Sequence, residues 1–382
     1  MAQWNRVPLI DYIELIGGGT PKTTVPEYWN GNIPWLSVKD FNNDKRYVYS
    51  TEKHISQSGF ENSPTKMLHK DDIIISARGT VGEIAMIPFD MAFNQSCYGI
   101  RASRGIDQPF LYYLLKNCIS QLKRMTHGSV FDTITRDTFA NIEVDIPDAE
   151  TQKRISSVLA DIDNKIEVND AINDNLHQQA ATLFKALFVD LTPFDGTMPP
   201  NWTISTLGDA TEMGAGGDKP KESSPVKTPL CPYPIYSNGI NDYGLYGYTN
   251  DPKIKAESVT VSARGTIGYV CLRHTPYVPI VRLVTLIPDT KVLSAKYLYL
   301  YLRQLHITGT GTTQQQLTVP DFRKTEIIIP DKNTMDSFTE TVTPLFEQIW
   351  ANEDENTKLA EVRDALLPKL MSGEIDVSDI QL

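Results

Sequence analysis

Arginine, glycine and threonine stand together twice in this chain, in Ser-Ala-Arg-Gly-Thr-Val-Gly at 76–82 and in Ser-Ala-Arg-Gly-Thr-Ile-Gly at 262–268. A match of this length within one chain points to internal duplication. A guanidinium beside a hydroxyl on a glycine bend suits the holding of a phosphate, a contact that fixes position without reading sequence. Arg78 and Arg264 suit an ion pair bracing the turn equally well, and the residues leave both roles open. Other chemistry is harder to find. Gly-Gly-Gly-Thr-Pro-Lys at 17–22 is not a phosphate loop, because that motif needs glycine directly before Lys-Ser/Thr and Pro21 stands there. The carboxylates of Ile-Pro-Asp-Ala-Glu-Thr at 146–151 suggest a nuclease cluster, yet the second copy, Ile-Pro-Asp-Lys-Asn-Thr at 329–334, lacks the glutamate. Met-Pro-Pro-Asn-Trp at 198–202 lacks the polar residue that precedes the prolines of an amino-methyltransferase. The four cysteines are far apart and the six histidines show no HxxxH or HExxH spacing. The expectation is no catalytic residue, no metal ligand and no cofactor: a chain that binds.

The elements that must position the arginines follow from hydrophobic period. Apolar runs flank each repeat, Ile-Ile-Ile at 73–75 and Val-Thr-Val at 259–261 before it, Ile-Ala-Met-Ile at 84–87 and Val-Cys-Leu at 270–272 after it. Each copy reads as strand, bend, strand, with Gly79 and Gly265 permitting the bend. Val259 and Val261 alternate with polar residues as in a half-buried strand, whereas the isoleucines predict a fully buried one. The likeness runs further. Trp4 and Trp202 each lead into a glycine-rich stretch ending in Pro-Lys, and 32–40 matches 232–240. Each copy closes on a short strand that stops at proline, Pro147 or Pro330.

After that proline the period becomes helical. Ile155, Leu159, Ile162, Ile166, Asn169, Asn173, Leu176, Ala180, Leu183 and Leu187 advance by fours and threes, as a heptad seam does. The second copy gives Phe338, Val342, Leu345, Ile349, Asn352, Asn356, Leu359, Arg363, Leu366 and Leu370. Asn169 and Asn173 therefore match Asn352 and Asn356. Buried asparagines there specify register; a loosened, hydrated seam is the alternative. Pro344 and Pro368 predict a less regular second helix. The order is domain 1–148, helix 149–193, domain 194–332, helix 333–382. Short joins require the helices to be antiparallel with a domain at each end, and a helix of about 40 residues is about 60 Å long. The predicted fold class is α/β (α+β), two pseudo-repeated heads separated by a pair of long antiparallel coiled-coil helices.

Charge does not exclude a polyanionic partner. The chain of 382 residues carries a net charge of −11, but residues 333–382 hold 11 acidic groups against 3 basic, while 196–332 hold 11 against 14. Local field matters more than the total for binding. No apolar run approaches the roughly 20 residues needed to span a bilayer, and the sequence start has no secretory leader, so a cytoplasmic protein with no membrane partner is expected.

The duplicated Ser-Ala-Arg-Gly-Thr, Asn-Ile-Pro-Trp-Leu-Ser-Val-Lys-Asp at 32–40, the run from Gly128 through Ile-Pro-Asp-Ala-Glu-Thr-Gln-Lys into the first helix, and Ala-Leu-Leu-Pro-Lys-Leu-Met-Ser-Gly-Glu-Ile at 365–375 resemble the specificity subunits of type I restriction–modification systems. The resemblance covers nearly the whole chain. It departs at the helix starts, where the family's Pro-Pro-Leu and Glu-Gln are reduced in the first copy and missing from the second. It implies a non-catalytic subunit with two target recognition domains, each reading one half of an asymmetric bipartite site in double-stranded DNA. Two adenine-N6 methyltransferase subunits and restriction subunits are the implied partners, with exposed apolar residues beside the seam, such as Phe184 and Phe188, as contacts unless they are buried. The candidate DNA-binding residues are Lys22, Lys39, Arg78, Thr80, Asn94, Gln95 and Ser129 in the first head. In the second they are Lys219, Lys221, Asn238, Asn241, Arg264, Thr266, Thr312, Gln314, Gln315 and Gln316. Loop capping is the competing role for the asparagines and glutamines. A two-headed protein scaffold that never touches DNA, and a modification enzyme separated from its active domain, are the competing functions.

Overall fold

Ile73–Ser76 and Ile84–Met86 pair antiparallel on either side of the first Arg-Gly-Thr bend. The structure, a computed structural model, describes residues 4–126, 133–309 and 316–380. Cys97–Ala102 and Ile13–Gly17 extend that pair to a four-stranded sheet, and the second copy repeats the order with Thr211–Ala215, Val284–Pro288, Ser258–Val261 and Val270–Arg273. Gly79 and Gly265 sit at φ +80° and +69°, and a Cβ on either would meet nothing, so the left-handed backbone rather than space requires glycine. The half-buried reading of the strand at Ser258–Val261 is corrected, since all four residues are buried. Its polar members are satisfied inside: the Ser258 and Tyr277 hydroxyls lie 3.0 Å apart, and Arg273 Nε donates to Thr260 Oγ1 at 3.0 Å.

Each copy adds a second sheet around one parallel pair. In the first, Trp35 and Leu36 stand opposite Ala92 and Phe93; in the second, Ile235 and Tyr236 stand opposite Val278 and Pro279. A two-stranded ribbon closes each copy, Asn5–Pro8 with Glu143–Ile146 and Thr203–Thr206 with Glu326–Ile329. The helices Gln108–Thr126 and Ala295–Gln304 supply Leu111, Leu115 and Leu122, and Leu298, Leu300 and Leu302, to the cores beneath.

The long helices are Ala149–Phe184, continued by one π-helical turn at Lys185–Val189, and Lys332–Met371. Their starts are built alike. Asp148 accepts from the Glu150 and Thr151 amides at 3.1 and 3.0 Å, and Asp331 from the Asn333 and Thr334 amides at 3.1 and 3.2 Å. Both cap orphan amide groups, and the suggested nuclease carboxylate at 148 is a helix cap. The backbone hydrogen bond from Thr151 leads in lowering the Asp148 pKa, and the Thr334 hydroxyl leads in lowering that of Asp331. The expected irregularity of the second helix is also corrected: it runs unbroken through Pro344 and Pro368, and the distorted turn belongs to the first. Both prolines are exposed, where the lost hydrogen bond leaves a carbonyl to water.

The chain divides into two compact units, Met1–Ala171 with Asn352–Leu382, and Ile172–Ala351. In the first, Asp163 meets Arg363 and Asn169 meets Asn356, so the helix segments run antiparallel. Leu367, Leu370, Met371 and Val377 enter the same core as Leu9, Phe110 and Ile155. The second long helix thus ends in the first head's core, as a returning antiparallel helix requires. In the second unit Phe184 packs on Phe338 and His177 on Phe346, again antiparallel. The predicted seam slips here. Leu183 is exposed, while Ala180, Phe184 and Phe188 are buried with Tyr297 and Trp202. Steps of four keep the larger rings on the core, and the π-helical turn accommodates them.

Candidate nucleic-acid interface

Four of the first head's candidates line one open cleft of about 430 Å³: Lys39, Arg78, Thr80 and Asn94. The fold brings them together from three segments. The parallel pair delivers the 37–40 turn and Asn94 to one edge, since the Asn94 amide donates to the Leu36 carbonyl at 3.0 Å. A capping box holds that turn, with the Ser37 amide and hydroxyl donating to Asp40 Oδ2 at 2.7 and 2.9 Å, and leaves Lys39 exposed. The third segment is the repeat itself, whose Ala77 and Arg78 amides donate to the Ser96 carbonyl at 2.8 and 3.2 Å. Asn94 Oδ1 accepts from the Ser96 amide at 3.0 Å, so it caps the turn that carries it. Sequence reasoning missed Asn42, Glu52 and Lys53 in the same cleft. Their separation from the repeat hides them, because Lys53 reaches the cleft through strand pairing.

Outside the cleft, Lys22 is exposed and its carbonyl accepts from Trp29 Nε1 at 3.3 Å. Gln95 is exposed and accepts through Oε1 from the Thr20 hydroxyl. Ser129, Thr312, Gln314 and Gln315 lie outside the described residues.

The second head arranges its repeat differently. Arg264 donates from Nε and Nη2 to Gln316 Oε1 at 3.2 and 3.0 Å, joining two candidates. Among the described residues neither Arg78 nor Arg264 forms an ion pair with a carboxylate, the alternative role the residues left open. The same backbone pairing supports both arginines: Ile134 donates to the Ala77 carbonyl and Leu317 to the Ala263 carbonyl, each at 3.0 Å. Asn238 is a structural anchor, accepting from the Ala263 amide at 2.8 Å and donating to the Val281 carbonyl at 2.6 Å. Lys219 holds its ammonium 5.2 Å from the centre of the Tyr246 ring. Lys221, Asn241 and Thr266 are exposed.

Three of the four seam asparagines are buried, and Asn356 is half-buried. Asn169 Nδ2 donates to Asn356 Oδ1 at 2.9 Å and to Glu355 at 2.8 Å, and Asn173 donates to the Ile349 carbonyl at 3.3 Å. These are direct contacts. The expected apolar contacts at Phe184 and Phe188 are corrected, because both rings are buried in the second unit's core. Burial pushes the Cys97 thiol up to about 12 and the Cys118 thiol to about 11, so neither is a ready nucleophile. Among the described residues no cluster of three or more His, Cys, Asp or Glu could hold a metal, and no helix is long and apolar enough to cross a membrane.

Known proteins share this organisation. A relative in Methanocaldococcus jannaschii, the type I restriction enzyme MjaIX specificity subunit, is 28% identical over 99% of this chain and 94% of its own. The HindI specificity subunit of Haemophilus influenzae is 27% identical over 70% of this chain and 77% of its own. The crystal structure of a type I restriction–modification S subunit from M. genitalium matches with a TM-score of 0.57 at 15% identity, covering 97% of this chain and 96% of that one. A family model described as the type I restriction modification DNA specificity domain matches twice, at residues 1–178 and 199–361, once for each copy of the repeat. On that double match, the chain belongs to the specificity subunits of type I restriction–modification systems.

Proposed function

We propose that this chain reads an asymmetric bipartite site in double-stranded DNA, one half-site with each recognition domain (1–148 and 194–332), without chemistry of its own. Two methyltransferase subunits assemble on the helical segments 149–193 and 333–382, restriction subunits join them, and the complex works in the cytoplasm. With Phe184 and Phe188 buried, the large apolar residues exposed on these segments, among the described residues, are Val168, Ile172, Leu183, Val189 and Val362. The observation that carries the reading is the first head's cleft, where Lys39, Lys53 and Arg78 gather beside Thr80 and Asn94, with Glu52 the one acid lining it among the described residues. Cations suited to phosphate and an amide suited to a base edge stand together on one concave face.

The test uses the complex assembled with its methyltransferase subunits. Arg78→Ala should weaken binding about uniformly across sequences and reduce the salt slope by about one, leaving base preference unchanged. An unchanged slope in a normally assembled complex removes Arg78 from the interface. Absence of sequence-specific binding by the unaltered complex overturns the reading itself.

A further inference from the structure

In the second head, residues 237–244 connect Tyr233–Tyr236 to Leu245–Thr249. The corresponding connection in the first head, 37–52, is fastened down. Its Phe41 and Val48 are buried, Arg46 lies against the first long helix beside Glu167, and Asp44 pairs with Lys116 and Arg363. The second head's connection carries its apolar groups outward, with Ile240 49% and Tyr243 53% exposed, and Tyr246 just beyond at 51%. Aromatic and aliphatic groups exposed on and just after one loop, beside a cationic turn, suit a partner that rewards apolar contact.

The loop is nevertheless held in one shape. The Ser237 amide donates to the Gly244 carbonyl at 2.8 Å, and a Cβ on Gly244 would come within 2.5 Å of the Ser237 oxygen. Asp242, Tyr243 and Gly244 are consecutively left-handed, at φ +47°, +55° and +82°. Non-glycine residues keep such angles only when their surroundings over-determine them. Arg273 supplies that constraint. It is 5% exposed, lies 3.6 Å from the centre of the Tyr236 ring, donates from Nε to Thr260 Oγ1 at 3.0 Å and from Nη2 to the Tyr243 carbonyl at 2.6 Å. Among the described residues no carboxylate pairs with it. A buried guanidinium kept without an acid is costly, and what it holds is the strained carbonyl of Tyr243. At the loop's other end Asn238 ties it to Ala263, the neighbour of Arg264.

We propose that this loop is the second head's base-reading element: Tyr243, flanked by Ile240 and Tyr246, contacts thymine C5-methyl groups, and Arg273 is the positioning residue that sets its conformation. The inference rests on the DNA-reading function proposed above. The thymine methyl is the apolar group that base pairs present in the major groove, which makes it the feature such side chains recognise.

The experiment measures binding of the assembled complex to its own site with each thymine of the second head's half-site replaced by uracil. That half-site is the one retained when residues 1–148 are exchanged for those of another specificity subunit. Loss of one buried methyl contact should weaken binding by about fourfold at one or more positions. Tyr243→Ala should bind more weakly and lose this sensitivity, and Arg273→Lys, which keeps charge but not the two-directional donor geometry, should blunt it. Both variants should leave the salt slope and the first half-site unchanged. If uracil is tolerated at every position, or Tyr243→Ala keeps the parent's sensitivity, the inference is overturned while the DNA-reading function stands. If the unaltered complex binds no specific DNA, both fall. Should Arg273→Lys fail to assemble, the uracil series with Tyr243→Ala still decides.

Discussion

The two heads use one topological connection for opposite purposes. In the first, 37–52 is bound down by buried Phe41, Val48 and Arg46, and contributes its short capped turn with Lys39 to a charged cleft. In the second, 237–244 is shorter, exposes Ile240 and Tyr243, and depends on Arg273 and Asn238 for its shape. The four-stranded sheet that carries the repeat, the parallel pair and the amide bonded to Ala77 or Ala263 are common to both, while the second sheets differ in which edge takes their fourth strand. Duplicated chains can therefore diverge in what they read without altering how they fold, because loops carry contacts while the sheets carry stability.

The largest effect that would sharpen this contrast lies at Arg363. Its counterpart in the first helix is Ala180, buried in the second unit's apolar core, whereas Arg363 donates to Asp163, Asp44 and Asp364 at 2.9, 2.9 and 2.8 Å. Burial opposes its charge, but the hydrogen bonds to Asp364 and Asp163 outweigh that and raise its pKa. Arg363→Ala leaves the buried Asp163 with the Tyr113 hydroxyl, which donates to it at 2.7 Å, as its remaining side-chain partner among the described residues. The first unit should lose about 3–5 kcal/mol in denaturant unfolding, as buried pairs do when one partner is removed. A loss below about 1 kcal/mol would mean that the pair is not what fastens the helix to the first head.

A smaller effect separates the two anchoring asparagines. Asn238→Ala strands the Ala263 amide and gives up the solvent-exposed bond to the Val281 carbonyl, so it should cost about 1–3 kcal/mol. Asn94→Ala strands the Ser96 amide alone and should cost about 1 kcal/mol or less, with its main consequence in DNA binding. Equal costs measured by thermal unfolding of the two variants would erase the distinction between an anchor and a cleft residue.

The smallest effect is a pH dependence confined to the second unit. His177 packs against Phe346, and burial, reinforced by Arg303, lowers its pKa below the ordinary 6.5 while Asp174 works the other way. The unfolded chain then takes up the proton before the folded one does. Stability should be complete above about pH 6.5 and fall as pH drops through and below that value. His177→Gln should flatten this part of the profile. The matching position in the second helix is Ala360, which cannot titrate. Denaturation midpoints between pH 5 and 8 that decline equally for parent and variant would assign the acid sensitivity elsewhere.

Local pattern determined a good deal. The Arg-Gly-Thr repeat, the strands beside it and the glycine bends are legible within a few neighbours, because hydrogen-bond period and turn chemistry act over that range, whereas the Asp148 cap is hidden behind a nuclease-like pattern until the helix start places it. Lys39, Arg78, Thr80 and Asn94 could be nominated from residue type, but their meeting in one cleft needed the parallel pairing of Trp35–Leu36 with Ala92–Phe93. Packing decided the rest. Leu183 and Phe184 both fit a helical seam as far as period goes, and the aromatic core chose Phe184. Arg273 reads as the end of a strand, and only the return of the 237–244 loop makes it a positioning residue. Arg363 meets Asp44 and Asp163 because the end of the chain folds back into the first head. Contacts between residues hundreds of positions apart leave no periodic trace in either segment, so the tertiary structure alone sets them.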